Sequence, residues 1–158
     1  MKIGKDQQGL TLIELLIVMM IIAILATVAY PTYQNHVKKT QRIAMQAELL
    51  NLSSQLQRYK IANFTFFAEG IPITLANLNY TLNNGSLMLP QGQNPTYSVE
   101  LNNVTANTWT LVATPINNQL GDGFIVLNHR GERCWDKGIA NTNGTQCEPT
   151  ASTDWIAK

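Results

Sequence analysis

An almost unbroken apolar run from Leu15 to Tyr30, entered through Gly9-Leu10-Thr11-Leu12-Ile13-Glu14, dominates the N-terminal part of the chain. From Leu10 to Tyr30 it holds 21 residues, enough for a helix to cross a hydrocarbon core of about 30 Å. Pro31 follows, and a proline inside a helix removes a backbone donor and crowds the preceding turn, so a kink is expected there. Helical periodicity resumes at once. Tyr33, Val37, Thr40, Ala44 and Ala47 step along one face, and Met45, Leu49, Leu52, Leu56 and Tyr59 along another. From Gln34 to Lys60 there is neither Gly nor Pro, and helix formers predominate. At about 1.5 Å per residue, the span from Leu10 to Lys60 would be a helix roughly 75 Å long.

The pattern then changes. From Phe64 to about Pro95 the chain turns to Asn, Gly, Thr, Pro and scattered aromatics, which predicts a long irregular connection with one short strand or helical turn, anchored by Phe64, Phe66 and Phe67. Period-two segments follow at Thr96–Leu101, Thr108–Thr114 and Gly123–Asn128, punctuated by Asn102-Asn103, Asn117-Asn118 and His129-Arg130-Gly131. Three or four antiparallel strands with one apolar face would pack on the Met45–Tyr59 stripe. The expected class is α+β: a long N-terminal helix, kinked near Pro31, laid across an antiparallel sheet.

Glu14 is the anomaly in this pattern. A carboxylate at membrane depth costs on the order of 3 kcal/mol even on lenient scales, and such a group normally has a partner and a function. The preceding leader carries Lys2 and Lys5. This is not an ordinary secretory signal, because the apolar run is too long and no small-residue cleavage site ends it. An uncleaved signal anchor would leave Glu14 unexplained. Cleavage between Gly9 and Leu10 would instead create an ammonium one helical turn from Glu14, and the two charges can neutralise each other within a chain or between neighbours.

With 158 residues the chain has room for one ordinary domain. Its 45% hydrophobic and 13% charged content excludes a disordered chain, and the net charge of +1 excludes a broadly basic nucleic-acid-binding protein. Behind a membrane-targeting N-terminus, Cys134 and Cys147 read as one disulfide of an exported domain. Lys38, Lys39 and Arg42 read as a solvated helix face, with contacts to lipid headgroups or acidic neighbours as the alternative.

Gly9-Leu10-Thr11-Leu12-Ile13-Glu14-Leu15-Leu16 resembles the class III signal of type IV pilins and pseudopilins, with Leu10 where phenylalanine is usual. Ala113-Thr114-Pro115, Gln119-Leu120-Gly121-Asp122-Gly123 and Gly131-Glu132-Arg133-Cys134-Trp135 resemble the pattern of PilE-type minor pilins. The resemblance implies a type IV pilin fold with a disulfide-closed C-terminal loop between Cys134 and Cys147. It implies a leader over 1–9, a membrane and filament-core helix over 10–30, an amphipathic helix over 31–62, and a head of connection, sheet and disulfide loop over 63–158. It further implies that prepilin peptidase cuts after Gly9 and methylates Leu10, and that Glu14 assists docking of one subunit onto the first residue of another, with Pro31 also shaping the assembling helix.

The expected function is a structural minor pilin of a type IV pilus, supporting pilus biogenesis, twitching motility, adhesion and DNA uptake. Its expected partners are other pilin subunits, prepilin peptidase, the inner-membrane assembly platform and, before assembly, the membrane itself, with the head in the periplasm and the filament outside the cell. Alternatives are a pseudopilin of a type II secretion system, a major pilin, or a monomeric membrane-anchored periplasmic binding protein. No catalytic constellation is found around His36 or His129, so no enzyme activity, cofactor or metal is expected. Asp122 has too few acidic neighbours for a calcium loop. Trp109, Trp135 and Trp155 read as core and loop anchors rather than a base-stacking platform, and direct nucleic-acid binding is not expected.

Overall fold

In the computed structural model, residues 11–138 and 144–156 are described. A 52-residue helix, α1, runs from Leu12 to Asn63. Thr11 starts it: the Glu14 amide donates to the Thr11 hydroxyl at 3.3 Å, and the Leu15 amide to the Thr11 carbonyl. Thr11-x-x-Glu14 is therefore the start of a capping box, with an acidic side chain in the first turn where the helix dipole favours it. The helix continues without interruption through Pro31.

The chain divides into two units, Met1–Val37 and Lys38–Lys158. In the described part of the first, every large aliphatic side chain from Leu12 to Val28 is about half exposed or more, from 48% at Val18 to 82% at Leu12. This helix is long and apolar enough to cross a membrane by length and composition.

In the second unit, Met45, Leu49, Leu52, Ser53 and Leu56 of α1 are buried, and Tyr59 packs against the same core. This is the predicted stripe, and the sheet covers it as expected. The sheet has five strands rather than three or four: β3 (Leu87–Leu89), β4 (Tyr97–Asn102), β5 (Thr110–Pro115), β6 (Ile125–Asn128) and β7 (Arg133–Trp135), in sequence order and antiparallel throughout. A separate two-stranded ribbon joins β1 (Phe67–Ala68) to β2 (Ile71–Pro72). Strands β3 and β7 have three residues each, too few for an alternation to stand out.

Tyr97, Val99, Leu111, Ala113, Ile125 and Leu127 face the helix in one core. Val112, Val126 and Cys134 point the other way and form a smaller cluster with Phe124 and Cys147. Both faces of the central strands are thus covered, where one apolar face was expected. Phe66 is buried and Phe67 half-buried, whereas Phe64, the third expected anchor, is 86% exposed.

Cys134 and Cys147 form the expected disulfide. Closing a loop of this size constrains the unfolded chain by about 3 kcal/mol in the chain-entropy treatment. Reduction, or Cys134→Ser with Cys147→Ser, should lower the melting temperature of the head by roughly 10 °C, measured by circular dichroism with and without reductant.

Candidate functional site

The residues singled out at the N-terminus fall in different places. Gly9 and Leu10 lie outside the described residues. Glu14 is exposed on α1 amid exposed apolar side chains, and so is Pro31. What α1 offers here is an apolar surface with one carboxylate near its start. Each large aliphatic side chain withdrawn from water contributes roughly 1.5–3 kcal/mol, so this surface will be covered by lipid or by other helices.

The Gln119–Gly123 segment joins α1 to the disulfide-bearing end of the head. Asp122, 7% exposed, accepts the Arg42 guanidinium on Oδ1 at 2.6 Å and the Tyr97 hydroxyl on Oδ2 at 2.7 Å. The Gln119 side-chain amide donates to the Lys38 carbonyl at 2.9 Å and to the Tyr97 oxygen at 3.0 Å. Lys38 Nζ donates to the Leu120 carbonyl. The Trp135 indole N–H donates to the Asp122 carbonyl, and its ring lies 3.8 Å from the Arg42 guanidinium carbon. Burial first, and the Asp122 carboxylate second, push the Tyr97 phenol well above its ordinary pKa, so it stays a donor.

Gly123 completes this clasp. It has φ +91°, and a β-carbon there would lie 1.7 Å from the Asp136 carbonyl oxygen. Only glycine lets the two backbones approach so closely. The solvated face expected of Lys38, Lys39 and Arg42 holds only for Lys39, since the other two are spent on this loop. Asp122, considered above for calcium, is satisfied by Arg42 and Tyr97. Among the described residues, no group of three or more His, Cys, Asp or Glu side chains could hold a metal ion.

A third arrangement was not legible beforehand. The last turns of α1, the β4–β5 hairpin and the β6–β7 turn meet at one end of the head around a cavity of about 390 Å³, lined by Gln57, Lys60, Ile61, Phe66, Asn107, Trp109 and His129. Lys60 Nζ donates to Asn107 Oδ1 at 2.6 Å and sits 5.1 Å from the Phe66 ring centre. The Asn128 side chain holds the β6–β7 turn by accepting from the Arg130 and Glu132 amides and donating to the Glu132 carboxylate. Arg130 and Arg58 are exposed. The ion pairs among the described residues are Arg42–Asp122 and Arg133–Asp154, so neither arginine is in one.

Comparison with known proteins places these features in a family. A family model described as type IV minor pilin ComP, DNA uptake sequence receptor, matches residues 31–134, about two thirds of the chain, and one for the prokaryotic N-terminal methylation motif matches residues 4–30. The chain is 51% identical over 43 residues to the type IV major alpha-pilin of Moraxella bovis, covering 27% of each chain. It is 57% identical over 37 residues to a fimbrial protein of Pseudomonas aeruginosa, covering 23% of this chain and 24% of that one. With the type II secretion system core protein G of Pectobacterium carotovorum subsp. carotovorum it shares 32% identity over 60 residues, 38% of each chain. The chain thus covers well under half the length of each of these curated relatives. No solved structure matches it. The match that runs from Pro31 through the sheet to Cys134 takes in most of the head and the clasp as well as the helix, and on it the chain belongs to the ComP family of type IV minor pilins.

Proposed function

We propose that this protein is a structural subunit of a type IV pilus, made as a membrane-held precursor, cut by prepilin peptidase between Gly9 and Leu10, methylated at Leu10, and added to the filament by an inner-membrane assembly platform. The head would wait in the periplasm and end outside the cell. The carrying observation is the exposed apolar face of Leu12 to Val28 with Glu14 at its start, adjoining a methylation motif. In the bilayer lipid covers that face; in a filament other helices do. Glu14 would neutralise an N-terminal ammonium, its own while waiting and a neighbour's once docked, and Pro31 would bend the helix between the two environments. This role is structural rather than enzymatic. Mass spectrometry of sheared, purified filaments tests it: the expected result is a chain beginning at N-methylated Leu10, in minor amount. A chain still carrying its leader, or one missing from filaments, would overturn the proposal.

A second reading is favoured by the description of the matched family, which names a DNA uptake receptor. On it, the head would contact DNA during uptake, contrary to the sequence-based expectation that this subunit does not bind nucleic acid.

A further inference from the structure

Phe64 combines an exposed ring with a left-handed backbone. Its ring is 86% exposed, and its backbone holds φ +61° just past the end of α1, where glycine is the usual occupant of the left-handed position. Exposing the ring and holding a bulky residue left-handed both cost free energy; the Phe64 amide closes the helix end on the Lys60 carbonyl, while the ring is left in solvent. One turn back on the same helix, Ile61 is 76% exposed. Beside these apolar groups stand cations: exposed Arg58, Lys60 on the cavity wall, and exposed Arg130 on the turn that Asn128 braces, next to His129. The nearby acid on that turn, Glu132, is bonded by Asn128.

Resting on the DNA reading above, we infer that this end of the head is the DNA-contacting surface, with Arg58, Lys60 and Arg130 on phosphates and Phe64 as an apolar group placed against sugar and base. The three cations come from two separate elements, α1 and the β6–β7 turn; Asn107 of the β4–β5 hairpin holds Lys60, and the Asn128 bonds brace the turn that carries Arg130. Positive charge presented from two elements at one end of the head suits the phosphates of a duplex. An exposed phenylalanine beside such charges is the kind of side chain that wedges into a groove or between base steps.

The test uses the full chain in detergent, a short duplex, and heparin as a polyanion without bases, titrated from about 50 to 200 mM salt. Arg58→Gln with Arg130→Gln should weaken both ligands and reduce the slope of log K against log salt for the duplex by about 2. Phe64→Gly should weaken the duplex roughly 5- to 150-fold, leave its salt slope unchanged, and leave heparin binding alone. Because glycine suits the left-handed position, this variant should melt no earlier than the wild type, which separates lost binding from lost folding. Wild-type binding that survives all three substitutions would overturn this surface while leaving the DNA reading in place. A wild-type chain that binds no duplex at 50 mM salt would overturn both.

Discussion

Asp122→Ala should cost the head about 3–5 kcal/mol, the range for removing one partner of a buried ion pair. The substitution leaves two donors stranded. The Arg42 side chain is 15% exposed and would lose its carboxylate while lying against Trp135. The hydroxyl of Tyr97, a residue with no exposure, would lose its acceptor, and a buried donor without an acceptor costs about 1–3 kcal/mol by itself. For a head of this size the loss corresponds to a fall in melting temperature of roughly 10 °C or more, readable in the near-ultraviolet ellipticity of the tryptophans. Arg42→Ala should be damaging too, since it strands the carboxylate. The double variant should then lose less than the sum of the two, because each single change already breaks the shared contact. Simple additivity would mean that the two side chains do not act as a pair.

That clasp also shows where sequence reading stops. Helical spacing identified the Met45–Leu56 stripe because an amphipathic helix repeats its pattern every turn, and alternation found β4, β5 and β6 for the same kind of reason. Arg42 and Asp122 lie 80 residues apart, so no local pattern joins them. Gln-x-x-Asp-Gly could be recognised as a family pattern without disclosing that Gln119 holds the Lys38 carbonyl or that Gly123 lies under Asp136. Phe64 was misread because an aromatic residue signals burial by type, while its direction depends on a backbone angle that local composition does not specify. Val112 and Val126 broke the one-faced pattern because the far side of the sheet is covered as well, by Phe124 and Cys147. Thr11-x-x-Glu14 carried a readable capping signature, hidden by the apolar run that surrounds it.

The same capping bond shapes the second large effect. Glu14→Val should give a protein that inserts and is cleaved normally but enters filaments at a small fraction of the wild-type level. Valine suits the bilayer better than glutamate, by on the order of 3 kcal/mol, so a deficit cannot come from failed insertion. It could come from the helix start, because Glu14 is the third helical residue after the Thr11 cap and an acidic side chain there stabilises the first turn by about 0.3–1 kcal/mol. Glu14→Gln separates the causes. Glutamine also serves at that position of a capping box but carries no charge, so it retains the local helix start and cannot neutralise an ammonium. If assembly depends on charge, the glutamine variant should be about as deficient as valine; if it depends on helix capping, glutamine should restore most of it. The measurement is the amount of each variant in sheared filaments relative to the amount processed in the membrane. The docking proposal predicts normal processing with both variants depleted from filaments, and normal incorporation of either would remove Glu14 from the subunit contact.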